Sequence, residues 1–283
     1  MATFATSGQA SDQLLVIIDP AARETDGESV RIAKDVLSAG ATAKVCMPDG
    51  PEEFARALSR RGSRRPVVIG DDGALVRAVT FLHRQRELAG CALSVVPVGG
   101  ALSVAHALGV PAGAVAAART VLDGVERRLD LLVDDSDGVV LGALRIPPLA
   151  AARETPEPAA ARGWLRPYQH LVRSLSTRPA PTVPRPGAAR LRVEVDGETV
   201  IDLDQPVEGI SVTPGARGGL AEVEVRPLSV GAEATPVRAA GRTVTVIGAD
   251  FRYRADGGVA GPVRRRTWRV VEGAWGLTVP GGS

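Results

Sequence analysis

The sequence has very few aromatic residues. Phe, Trp and Tyr make up 3% of its 283 residues. Any core must therefore be built from Val, Leu, Ile and Ala, and a hydrophobic content of 45% is enough for one. Proteins that hold single-stranded nucleic acid stack bases on aromatic platforms, so no nucleic-acid partner is expected. Cysteine is nearly missing too. Cys46 and Cys91 each lie in or beside a strand-like stretch and read as buried thiols, not as a disulfide or a metal pair. The histidines His83, His106 and His170 are scattered, and no Cys/His spacing suits zinc. Lysine occurs only as Lys34 and Lys44, so almost every basic residue is Arg. No apolar run reaches the roughly 20 residues that a membrane-spanning helix needs. No basic segment followed by an apolar one opens the chain, so no secretory leader is expected. The net charge of +2 argues against a strongly charged partner. These absences predict a cytoplasmic protein with at most peripheral membrane contact.

What is present is a change of rhythm part-way along the chain. The continuous apolar run at 14–19 reads as a strand buried on both faces, and 41–46, 65–70 and 92–98 read as further strands. Between them, 28–40, 50–62 and 73–88 carry helical spacing, with Pro51 and acidic residues near one helix start and Gly40 as a stop. Such alternation predicts a parallel sheet with right-handed crossovers. From about residue 125 the pattern becomes strand after strand. Residues 129–135 and 139–146 read as a pair joined by the turn "DSDG". Residues 147–163 read as a loop, 163–178 as a helix and 179–187 as too proline-rich for either element. Beyond these, "LRVEV" and "AEVEV" alternate apolar and polar residues, as half-buried antiparallel strands do. "VDGET" (195–199) is an Asp-Gly hairpin signal.

One stretch asks a chemical question. In "VVIGDDGALVRAVTFL" (67–82) a strand meets a glycine turn and then a helix. Turns of this kind hold phosphate on backbone N–H groups at the helix start. Here the turn carries two carboxylates, Asp71 and Asp72. On residue chemistry alone, one of them caps the helix.

In the order of its motifs the chain resembles the diacylglycerol kinase and sphingosine kinase family of lipid kinases, relatives of NAD kinase. The family's strand–"GGDGT"–helix motif falls on Gly70, Asp71, Asp72, Gly73 and Ala74. Its "P-x-G-T-G-N-D", followed by a helix and "LGIP", falls on "PVGGALSVAHALGVP" (97–111). Its late "DGE" falls on "ADGG" (255–258). The departures are as informative as the matches. Asp71 stands for Gly, Ala74 for Thr, Gly100 for Thr, Ala101 for Gly, Leu102 for Asn, Ser103 for Asp and Gly258 for Glu. The first-strand "NPxSG" becomes "DPAAR" (19–23).

The resemblance implies an α/β plus all-β fold. An NAD-kinase-like parallel α/β nucleotide domain over 1–125 would precede an antiparallel β-sandwich over 126–283, with the active site in the cleft between them. The final segment could stay in the second domain or return to the first. The resemblance also implies ATP and Mg²⁺ as cofactors and a lipid as acceptor, and it leaves room for a homodimer. Gly70, Asp71, Asp72, Gly73, Gly99 and Gly100 would shape the nucleotide site, Asp72 would serve the metal, and Asp256 would be the general base. Against this stand two effects of the substitutions. Asp71 would strain the turn if φ there must be positive, and its charge would repel a triphosphate. Each lost polar contact to a charged group costs about 1.5–3 kcal/mol. A pseudokinase of the same fold, binding nucleotide, lipid or protein without turnover, is therefore the alternative reading. NAD-kinase-like phosphorylation of a soluble substrate is a third. Asp256 could equally be a hairpin-turn residue, and Asp196 is read as one. The mix of Trp164, Leu165 and Arg166 in the helix over 163–178 could rest on an anionic membrane or pack on the sandwich.

Overall fold

The computed structural model describes residues 13–147, 189–215, 218–228 and 235–281. The helix expected over 163–178 and the proline-rich stretch after it lie outside the described residues, as does most of the expected loop before them.

The first part alternates as expected. Strands β1 (Gln13–Ile18), β2 (Thr42–Cys46), β3 (Arg65–Gly70) and β4 (Ala92–Pro97) run parallel in the order β2-β1-β3-β4. β1, β3 and β4 are buried at every position after the first, because both faces are covered. Edge strand β2 is only half-buried. Helices α1 (Pro20–Thr25), α2 (Gly27–Gly40), α3 (Pro51–Ser59), α4 (Asp72–Arg84), α5 (Ser103–Ala107) and α6 (Ala114–Asp123) connect and cover the strands. α1 is an addition to the sequence reading. Its start signals are local: Asp19 caps it and Pro20 opens it. α4 ends earlier than expected because Arg86 adopts φ +59, which no α-helix continues.

The second part contains β5 (Val125–Asp134), β6 (Val139–Val140), β7 (Leu144–Ile146), β8 (Ala189–Val195), β9 (Glu198–Ile201) and β10 (Pro206–Pro214). It continues with β11 (Ala221–Pro227), β12 (Val237–Gly241), β13 (Thr243–Ala255) and β14 (Gly258–Val279). These strands pair antiparallel with one another. β8 bonds to both β10 and β13, and β7 bonds to the same two strands, so the four close a ring of pairings. All fourteen strands belong to one connected sheet.

β14 makes that connection. Its first half pairs with β13, and Trp268 is fully buried in the second core with Val244, Val246 and Tyr253. A register shift between Val271 and Trp275, with Gly273 at φ +55, turns the strand. Its last residues then run parallel to β4, with Gly276 opposite Ala92 and Leu277 opposite Leu93. Trp275, Leu277 and Val279 thus enter the first core beside Leu14, Ile17 and Val96. β5 alternates in the same way, sending Leu131 and Val133 to the first core and Leu132 to the second. Among the described residues, no helix is long and apolar enough to cross a membrane.

Candidate active site

The turn between β3 and α4 is built by close approach. A Cβ on Gly70 would stand 2.6 Å from the Ala74 Cβ and 3.0 Å from that of Asp19, so only glycine fits. Asp71 follows as the N-cap of α4, and its Oδ1 accepts from the Ala74 amide at 3.0 Å. Its φ is −85°. The expected backbone strain is therefore absent, because the cap position takes extended backbone that any residue can adopt. Gly99, at φ +122, does need glycine, and a Cβ there would meet the Asp71 Cβ at 3.4 Å. A Cβ on Gly73 would meet Asp71 Oδ1 at 3.2 Å, whereas at Gly100 it would point into open space. Gly70, Asp71, Gly73 and Gly99 thus come together, with Gly100 at their margin.

Asp72 is buried and has a different task. Its Oδ2 accepts from the Val104 amide at 2.9 Å and the Ser103 hydroxyl at 3.2 Å, and its Oδ1 accepts from the Ala105 amide at 3.0 Å. The Asp72 amide donates to the Ala101 carbonyl at 2.7 Å. One side chain thereby ties the start of α4 to the start of α5. Asp19 repeats the theme on α1. Its Oδ2 accepts from the Ala21 amide at 3.2 Å, and its Oδ1 accepts from Arg77 of α4. Three carboxylates therefore serve three helix starts, which answers the question raised by the double Asp.

Both oxygens of Asp72, the expected metal ligand, are engaged. Among the described residues, no three His, Cys, Asp or Glu side chains gather closely enough to hold an ion. This donor set does not fit a Mg²⁺ held by the protein's own side chains.

Asp256 lies on the other side of α5. With Gly257 it forms the two-residue turn between β13 and β14, at φ +46 and +85. That is the primed hairpin geometry that Asp-Gly favours. The turn places the carboxylate against a second loop, where its Oδ2 accepts from the Leu141 amide at 2.6 Å and its Oδ1 from the Gly142 amide at 2.8 Å. A Cβ on Gly142 would stand 3.1 Å from Asp256 Oδ1 and 3.6 Å from Val104, so glycine lets the carboxylate approach α5. Burial pushes the Asp256 carboxyl above the usual carboxylate range. The Leu141 and Gly142 amides pull it down without cancelling that effect, and the nearby Asp72 charge raises it further. Asp196 sits in an equivalent Asp-Gly hairpin and accepts from the Arg242 and Thr243 amides at 3.1 and 2.8 Å. It does not line the cavity that Asp256 faces.

That cavity, of about 850 Å³, opens between α5 and the strands of the second part. Ser103, Val104, Leu108, Leu141, Gly142 and Asp256 are among its lining residues, and Arg127, Arg145 and Arg254 line it too.

The sequence model of the diacylglycerol kinase catalytic domain matches residues 13–133. This span holds Asp19, the β3–α4 turn, Gly99 and α5. Within that span the chain is similar to the diacylglycerol kinase catalytic-domain family. The fold is shared with solved structures over nearly the whole chain. A solved structure of a candidate diacylglycerol kinase from Bacillus anthracis strain Sterne is 14% identical, with a TM-score of 0.70, covering 95% of this chain and 97% of that one. A second structure, described as a diacylglycerol kinase of the same strain, is 12% identical with a TM-score of 0.67 over the same shares. No curated protein compared matches the chain in sequence. Asp256 and the arginines at 145 and 254 fall outside the segment matched to the kinase catalytic domain. Reading the sequence for sites missed the two arginines and the Leu141–Gly142 amides. Only Ser103 had a signal, as the residue standing for Asp in the second motif.

Proposed function

We propose that this chain moves the terminal phosphoryl group of ATP to the hydroxyl of a lipid. Residues 1–125 would serve the nucleotide and 126–283 the acceptor. The observation that carries the reading is Asp256, a carboxyl raised above its usual range that faces a cavity large enough for a small-molecule headgroup. A base more basic than a solvated carboxylate suits removal of a hydroxyl proton. Gly70, Gly73, Gly99 and Gly100 would let backbone amides face the phosphates. Asp72 would act through α5, holding the cavity wall in place.

The α4 N-terminus favours a second reading. Asp71 already puts a carboxylate where a phosphate would sit, which suits a pseudokinase that binds its acceptor without turnover. Titration with ATP and Mg²⁺, followed by thermal shift, separates the two. A shift at millimolar nucleotide is expected, and none at all would remove the kinase reading. Asp256→Asn should then lower phosphoryl transfer about 10²–10⁴-fold while leaving the ATP shift intact. Asn tolerates the left-handed backbone of this turn, so the variant keeps the hairpin. Unchanged turnover would remove Asp256 from the role of base.

A further inference from the structure

The basic part of the cavity lining is built in a way that a sheet normally avoids. Arg145 of β7 and Arg254 of β13 are direct cross-strand partners, and like charges in that position destabilise a strand pair. Their neighbours in sequence, Leu144 and Tyr253, turn into the second core, so both arginines stand on the cavity face. The Arg145 side chain makes no hydrogen bond or ion pair among the described residues. Arg254 donates to the Gly257 carbonyl at 2.8 Å, which holds its guanidinium beside the Asp256 turn. Arg127 of β5 also lines the cavity and donates to the Leu108 carbonyl.

The acids of the cavity do not neutralise the pair. Asp256 is taken up by the Leu141 and Gly142 amides. Asp130 accepts from the Gly219 amide at 3.0 Å and the Gly273 amide at 2.8 Å. Glu222 is exposed on β11, beyond β10 from Arg145, or about 10 Å away by strand spacing. Two guanidinium groups therefore face the same space as the candidate base, and among the described residues no carboxylate pairs with either of them. Paired Arg forks are suited to the oxygens of a phosphate.

We infer that the alcohol phosphorylated here itself carries a phosphate group, clamped by Arg145 and Arg254 while its hydroxyl faces Asp256. The inference rests on the phosphoryl-transfer reading above and names its acceptor class. In the reaction the acceptor hydroxyl oxygen forms a bond to the γ-phosphorus of ATP. The bond from that phosphorus to the β,γ-bridging oxygen breaks, ADP leaves with the electron pair, and the hydroxyl proton passes to Asp256. A neutral acceptor such as diacylglycerol offers nothing to the clamp. The phosphate could belong to a soluble phosphorylated polyol or to the headgroup of a membrane lipid.

The test uses the full chain and two probes. Glycerol 3-phosphate is titrated calorimetrically, and phosphatidylcholine vesicles containing phosphatidylglycerol are used for flotation. At least one probe should bind, about tenfold or more weakly to Arg145→Gln and to Arg254→Gln. Arg252→Gln removes the same charge from an exposed position outside the cavity and should bind like the parent. Binding of glycerol 3-phosphate assigns a soluble acceptor, whereas binding to vesicles alone assigns a headgroup. If neither probe binds, or all three variants lose binding equally, the clamp is overturned. Transfer from ATP is then scored separately. Clamp binding with no transfer to any hydroxyl would sink the kinase reading and leave the anion site standing. Transfer to diacylglycerol without anion binding would do the reverse.

Discussion

Asp71 fills a position where the resembling family places glycine, and its consequence is electrostatic and not steric. The extended backbone at the cap removes the strain argument, but the carboxylate on the Ala74 amide occupies the positive end of α4. Stability and nucleotide affinity should therefore respond to it in opposite directions. Asp71→Ala should cost about 1 kcal/mol in urea denaturation, and Asp71→Gly only a few tenths. Asp71→Gly should also bind ATP with Mg²⁺ more tightly than the parent in calorimetry. Equal or weaker binding would mean that this carboxylate is not what stands in the way of a triphosphate. Capping by an Asp beside the turn was readable in the sequence, because it needs only residues 71 to 74. That Asp72 reaches α5 was not, since its partners lie some thirty positions on.

Among elements, the hairpins and their connecting turns show how much is local. The two Asp-Gly hairpins were legible as turns, yet nothing in "VDGET" or "ADGG" tells which carboxylate faces a cavity. The inner parallel strands β1, β3 and β4 were legible because burial on both faces leaves mostly apolar runs. β14 was not readable as one strand, because Arg264, Arg265 and Arg266 and the bend at Gly273 divide its pattern. The β5–β6 turn holds a further polar centre. Asp134 accepts from the Ser136 amide and hydroxyl at 2.8 and 2.7 Å, the Gly138 amide at 2.8 Å and the Tyr253 hydroxyl at 3.2 Å. Burial alone would push its carboxyl up, but the Ser136 and Gly138 hydrogen bonds and the Arg266 charge hold it below the usual range. The unfolded chain therefore takes up this proton first as pH falls. The stabilisation is complete above the ordinary value of 3.8 and is lost as pH drops through the lower folded value. Asp134→Asn should lower stability by about 1–3 kcal/mol at neutral pH. It should also flatten the acid limb of the urea midpoint below about pH 4. An unchanged acid limb would place that dependence on other carboxylates.

On the scale of the whole molecule, β14 makes the two cores interdependent. Trp268 fills one and Trp275 the other, both fully buried, on a single strand. Trp275→Ala should cost about 3–5 kcal/mol, read as a lower urea midpoint for the whole chain and not for its last residues alone. A small fraying transition with the main midpoint unmoved would contradict this. The family match covers residues 13–133, but the sheet within that span is finished only by residues far downstream. This sets a clock on biosynthesis. At ribosomal speed the stretch between residue 133 and Trp275 takes on the order of ten seconds to make. Until then β4 has an open outer edge, and such edges template unwanted pairing with other chains. A nascent chain of this protein must keep that edge guarded until its own last strand arrives to close it.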